Sequence, residues 1–273
     1  THGENMVRKR DINQPLPGPG ALDSRRPLAG FGDILLVESQ ASSEYNALQL
    51  SAVRRALHSL SFQASYTWSK SMDDTSAFLA TDGDDNTPQN SRNLAAERGP
   101  SDFDVRHRLV LTVTYNVPAI TSSRLLRNWQ VSAIVTAQSG RPFTPRVSFD
   151  NSNTGNVGGG TFAYDRPNLV TGTPPPGAVS YDGQWFVIAP RYSFGDAGRN
   201  SLVGPGHATL DAMFNRRISA GGRRIVNLRL EIFNALNRKN LQLPDSFVDH
   251  VTFGQALAAY PPRQVQLVAR FVF

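Results

Sequence analysis

Every second residue back from the last one forms an apolar row: Phe273, Phe271, Ala269, Leu267 and Val265. Between them stand Val272, Arg270, Val268 and Gln266. A period of two predicts a strand, because successive side chains leave opposite sides of the pleat. The same alternation recurs upstream. Leu60, Phe62, Ala64, Tyr66 and Trp68 alternate with Ser61, Gln63, Ser65, Thr67 and Ser69. Leu109, Leu111, Val113, Tyr115 and Val117 alternate with Arg108, Val110, Thr112, Thr114 and Asn116, and Trp129, Val131, Ala133, Val135 and Ala137 with Gln130, Ser132, Ile134, Thr136 and Gln138. Further on, Leu210, Ala212 and Phe214 oppose Asp211, Met213 and Arg217, and Val226, Leu228, Leu230 and Ile232 oppose Asn227, Arg229 and Glu231. Residues 46–54 alternate more weakly, through Leu48, Leu50 and Ala52. Residues 32–39 predict a short strand that 41–44 would turn, and 1–31, with their Pro/Gly run at 15–20, read as an irregular connector. The sum is about eight strands, or about ten if the Gly/Pro/Asn-rich stretch 139–206 adds a hairpin near 142–149 or 185–192.

Loop lengths decide what kind of all-β protein this is. The clear strands match the roughly 9–11 residues that a tilted strand needs to cross a bilayer. Short connections fall at 55–58, 118–127 and 219–222, where Ala220, Gly221 and Gly222 suit a hairpin turn. Long ones fall at 71–104, 139–206 and 237–262, in alternation with the short. A soluble sandwich would explain the alternating faces but not this parity. Outer-membrane barrels show it, with short periplasmic turns and long extracellular loops. The expected fold is therefore an antiparallel transmembrane β-barrel segment over 32–273, in the outer membrane of a Gram-negative bacterium, with lipid as its first partner. Phe273 and the short turns then lie on the periplasmic side, with aromatics such as Trp129 and Trp68 near the two interfaces. An arginine at the bilayer midplane costs about 2–4 kcal/mol, so Arg108, Asp211, Arg217, Arg229, Glu231 and Arg270 are expected to face the lumen.

Composition agrees. Only 18% of residues are charged, against about a quarter in ordinary soluble domains. No apolar run approaches the roughly 18 residues of a membrane helix. With no cysteine there is neither a disulfide nor a thiolate metal site. The net charge of +6 is spread along the chain.

Candidate chemistry is sparse. Asp73, Asp74 and the acidic run 82–86 offer oxygen ligands of the kind Ca²⁺ takes, without the full twelve-residue loop and its closing Glu; a solvated acidic loop explains them as well. The five histidines, His2, His58, His107, His207 and His250, form no metal-binding spacing. Gly158, Gly159 and Gly160 lack the Lys-Ser/Thr of a phosphate loop, and no serine sits in G-x-S-x-G. The aromatics lie on apolar faces and the arginines mostly opposite them, which disfavours a nucleic-acid stacking platform. No enzyme activity, cofactor or nucleic-acid partner is expected.

Several segments carry a family resemblance. Tyr66-Thr-Trp-Ser-Lys70-Ser-Met-Asp-Asp74 and Glu97-Arg-Gly-Pro-Ser-Asp-Phe-Asp104-Val-Arg-His-Arg108 resemble segments of Oar-like TonB-dependent receptors, the type that carries a carboxypeptidase-regulatory-like domain. Asn128 to Val131, Gln138 to Phe143, Gly195 to Asn200, Gly204 to Gly206 and Glu231 to Asn237 are similar to further blocks of that family, in its order. The terminal row of Val265, Leu267, Phe271 and Phe273 resembles the signal by which barrel strands are recognised for assembly. The resemblance implies energised uptake of a ligand, whether small molecule, glycan or peptide, with the TonB complex acting through an amino-terminal plug. Family barrels have about 22 strands. Nothing in this sequence resembles a plug, so the chain is expected to be the carboxyl-terminal portion of such a barrel, its first and last strands free edges, and its partners the missing amino-terminal strands and plug. The alternative function is a structural or adhesive barrel whose long loops bind a surface partner without import.

Overall fold

A computed structural model describes residues 1–273 except 58, 82–83, 119–127, 159–161, 220 and 223, with backbone alone at 56 and 57. The expected turn at His58, most of the connection 118–127, Asp82, Gly159, Gly160 and Ala220 thus lie outside the described residues. Eight long strands form one antiparallel sheet in chain order. They are β1 (His2–Asp11), β2 (Leu35–Leu57), β3 (Leu60–Asp73), β4 (His107–Asn116), β5 (Trp129–Gln138), β6 (His207–Ser219), β7 (Ile225–Phe233) and β8 (Gln264–Val272). The short strand Gly99–Pro100 joins the far end of β3.

The alternating residues form continuous rows because the register is unbroken from β3 to β8. Phe62, Val113, Ala133, Ala212, Ile232 and Val265 make one rung, and Ala64, Leu111, Val135 and Leu210 another. On the opposite face Ser61, Thr114, Ser132, Met213, Glu231 and Gln266 line up. A slip of one residue would send every apolar side chain to the wrong face. No described element packs on the apolar face: Leu267 is 76% exposed and Leu50 56%. Two arginines interrupt that face toward the short-turn end: Arg54, opposite Phe62, and Arg216, whose guanidinium lies 5.5 Å from the ring centre of its rung neighbour Trp129. That placement lets a charged head leave the apolar band.

Two expectations about the start of the chain are corrected. Residues 1–31 are not all connector, since His2–Asp11 is a strand paired with β2 from His2–Glu44 to Asp11–Leu35. Residues 41–44 do not turn: β2 runs through them for 23 residues. The polar Ser-Ser-Glu composition imitates a turn, but Ser42 is held by Asp74, whose Oδ2 accepts from the Ser42 amide at 3.0 Å and its hydroxyl at 2.9 Å. The number of long strands is unchanged, because one strand is gained and two merge. Loop parity improves, since 12–34 becomes a fourth long connection at the same end as the others.

The sheet does not close. The pairing path starts at β1 and ends at β8 without joining them. β1 pairs only with the distal half of β2, residues 35–44, whereas β3 pairs with 43–57. Among the described residues, Asn46 to Leu57 therefore have a hydrogen-bonded neighbour on one side only.

The compact core lies in the long loops. Phe143, Val147, Phe186, Ala197, Leu202 and Val248 are buried together, with Leu243 and Phe253 against them. Pro142–Phe143 pairs with Leu202–Val203, and Val179–Tyr181 forms a hairpin with Gln184–Val187. That hairpin turns on Asp182 and Gly183, both at positive φ, as a tight two-residue turn requires. Neither pair joins the main sheet, so the stretch 139–206 adds no spanning strand. The parity predicts opposite accessibility of the two ends. Cysteine at Val251, which is 97% exposed in the last long loop, should react with an impermeant thiol reagent on intact cells. Cysteine at Arg224, beside the β6–β7 turn, should react only after the outer membrane is permeabilised; the reverse pattern would invert the topology.

Candidate functional site

Beside their apolar nucleus, the long loops fold onto one another around buried charge. Asp73 ends β3, Glu97 closes the 3-10 turn Leu94–Glu97, and Arg199 lies in the 139–206 loop. Arg199 is 4% exposed and its guanidinium meets the carboxylates of both Asp73 and Asp84. It also donates to the carbonyl of Asp73 at 2.8 Å and through Nε to that of Glu97 at 2.8 Å. Arg166 donates to the Glu97 carboxylate at 2.6 Å, both side chains being buried. Gln89 ties three segments: it donates to the Gly195 carbonyl at 2.9 Å, accepts from the Arg166 amide at 3.1 Å, and its own carbonyl accepts from Gln14 at 2.9 Å. Asn13, fully buried, donates to the carbonyls of Leu28, Phe31 and Gly32 and so shapes the first long loop. These loops are a single cross-braced body.

Burial opposes charge throughout this body. It pushes Glu97 above the ordinary carboxylate range despite Arg166, and Asp85 likewise despite Arg146. Burial alone would lower Arg199, but Asp84 and Asp73 carry it above its ordinary value. Asp165 is fully buried, and desolvation pushes it from its ordinary 3.8 up to about 6 against the bonds from Asn156 and Ser152. Asp245 moves the other way: burial would raise it, but bonds from Thr252, the Phe247 amide and His250 outweigh that.

The acidic stretch offered as a Ca²⁺ candidate is used otherwise. Asp73 and Asp84 face Arg199, Asp85 lies 3.5 Å from Arg146, and Asp74 lies 3.5 Å from Arg98. Among the described residues no three metal-ligating side chains cluster. The described histidines are engaged elsewhere: His107 bonds Tyr66 at 2.8 Å, His250 bonds Asp245 at 2.9 Å, and His207 packs edge-on to Tyr260.

Arg108, Asp211, Arg217, Arg229, Glu231 and Arg270 all fall on the same, polar face of the sheet. They do not gather into one cluster. Arg108 shares a rung with Thr67, Gln138 and His207 near the loops, while Arg217 and Arg270 share one near the short turns. Between, Arg229 lies 3.2 Å from Glu231. Arg108 helps line a groove of about 240 Å³ with Tyr45, Gln49, Thr67 and Phe103. Of the terminal row, Val265, Leu267, Phe271 and Phe273 are 63–99% exposed on the last strand. Sequence reasoning missed Arg166, Arg199, Gln14 and Gln89, although Arg199 stood inside the Gly195–Asn200 block.

An open-faced antiparallel sheet with one apolar and one polar surface, all long loops at one end, is the architecture of a membrane β-barrel wall. A family model described as an outer membrane beta barrel domain matches residues 1–266. The chain belongs to that family, and the protein resides in the outer membrane. No curated protein matches the chain.

Two predictions follow from the charged core. Arg199→Ala leaves Asp73 and Asp84 buried without their cation, a loss of about 3–5 kcal/mol. The loops should become protease-sensitive on intact cells, while the heat-modifiable electrophoretic shift of the folded barrel persists. The second concerns Asp165. Between about pH 4 and 6 the folded loops hold a proton that the unfolded chain has released. The contribution of Asp165 to stability is thus fully present below about pH 4 and is lost, by about 3 kcal/mol, as pH rises through 6. Amide hydrogen exchange in residues 150–158 should quicken across that window, and Asp165→Asn, which stays neutral, should flatten the dependence.

Proposed function

We propose that this chain is the carboxyl-terminal wall of the barrel of a TonB-dependent receptor, and that its loop assembly forms the outer vestibule through which a ligand reaches the lumen. The carrying observation is the open sheet: eight strands with an unpaired stretch along β2 and a second free edge at β8. In hydrocarbon each of those backbone groups needs a partner, so further strands have to complete the ring. A closed eight-stranded barrel would be filled by its own side chains. The charges of Arg108, Asp211, Arg217, Arg229, Glu231 and Arg270 suit a wider, watered lumen instead, and the resemblance of the loop segments to Oar-like receptors supports the same reading. The wide groove beside Arg108 is where a ligand would first meet the polar wall.

The test uses the whole protein that carries this chain. Photocrosslinkers placed on the carboxyl-terminal domain of TonB should capture it in energised cells, and a protonophore should abolish capture. The 273 residues expressed alone should give no capture. Absence of any TonB crosslink with the full protein, together with surface-partner binding unchanged in a TonB deletion, would favour the adhesive reading and overturn this one.

A further inference from the structure

We propose that the outward face of the sheet carries a binding site for the phosphate-bearing headgroup of an outer-leaflet lipid, centred on Arg238. The site is a groove of about 290 Å³ at the long-loop ends of β4, β5 and β6. Its floor is the rung Leu109–Ala137–Ala208, a continuation of the apolar face, with Tyr66 beside it. Two alanines in succession leave a shallow trough where larger side chains stand further along. Its rim is polar: Arg238 supplies the cation, His107 stands at the end of the same outward row, and none of its ten lining residues is a carboxylate.

The rim is fixed by the fold. The amide of Arg238 donates to Asn234 Oδ1 at 3.0 Å and its carbonyl accepts from Asn234 Nδ2 at 2.9 Å, while Asn234 itself is buried. The exposed side chain of Arg238 makes no ion pair among the described residues. His107 stacks on Tyr66 with its Nδ1 against the tyrosine hydroxyl, so Nε2 is its remaining polar atom.

A ligand here meets hydrocarbon-facing alanines at one end and the Arg238 guanidinium at the other. That pairing selects an amphiphile whose polar end is anionic. The height of the groove agrees, because Trp68 and Tyr66, of the type that gathers at the membrane–water boundary, stand at the same strand ends. Basic residues at that boundary attract anionic lipid headgroups, and the guanidinium fork matches phosphate oxygens in pairs. The inference rests on residence in the outer membrane and not on uptake.

The test takes the whole protein from outer membranes, exchanges it into a neutral detergent, and follows lipid adducts by native mass spectrometry. Diphosphoryl lipid A, the same lipid stripped of phosphate, and inorganic phosphate are the probes. The diphosphorylated lipid should bind at least tenfold tighter than the stripped one. Arg238→Gln should erase that difference without changing binding of the stripped lipid, and Ala208→Leu, which fills the trough, should weaken both. Retention of the heat-modifiable shift shows that each variant is folded. Unchanged binding by folded Arg238→Gln, equal binding of the stripped lipid, or full competition by inorganic phosphate would each overturn the proposal. TonB crosslinking is read separately, so failure here leaves the uptake reading standing.

Discussion

A chain that crosses hydrocarbon can satisfy its backbone donors and acceptors only within itself or on a neighbouring strand. Everything else in this molecule depends on that. It makes the spanning segments strands in a ladder from β2 to β8, and it makes any unpaired edge an unfinished surface. The stretch of β2 from Asn46 to Leu57 is such an edge, because β1 pairs with the part of β2 beyond the span. Side chains there are no substitute for a partner strand. The same constraint explains why the sheet needs no hydrophobic core of its own: its apolar side chains are covered by lipid instead of by protein.

The loops outside the membrane face the opposite problem. They have water on one side and must order four long connections, the longest of them rich in Gly, Pro, Asn and Ser. A small apolar nucleus around Phe143 and Phe186 does part of this. The rest is done by buried hydrogen bonds and ion pairs, in which Arg199, Arg166 and Gln89 each touch residues from distant loops. Such a core is costly to half-build, because a buried carboxylate without its guanidinium is worse than no charge at all. That all-or-none character gives the loop assembly one arrangement rather than many.

Close backbone approach adds a second requirement. A Cβ at Gly140 would lie 1.7 Å from the carbonyl oxygen of Gly204, and one at Gly195 would lie 2.0 Å from that of Arg166. No side chain fits in either place without prising the loops apart. The two glycines let the long 139–206 excursion fold back on its own stem, where Pro142–Phe143 pairs with Leu202–Val203. They also bring Arg199 to Asp73. Gly140 and Gly195, which stand in blocks that resemble Oar-like receptors, thus have a packing reason, independent of any ligand.

The sequence by itself determined the sheet. Alternation places Leu111, Val135 and Leu228 on one face and Arg108, Asp211 and Arg229 on the other, since a strand's two faces follow from residue parity alone. Loop lengths set the sidedness for the same local reason. The first strand was hidden, because His2–Asp11 is polar and pairs above the apolar band, where no alternation is required. The run 41–44 misled, because Ser and Glu favour turns until a distant carboxylate such as Asp74 holds them extended. Tertiary structure alone decided the loop core. Asp73, Asp84 and Asp85 are acidic loop positions in sequence, and only long-range folding, which brings in Arg199 and Arg146 from the 139–206 loop, makes them halves of buried ion pairs. It alone also decided the trough beneath Arg238, since that groove is built from four strands and a loop far apart in the chain.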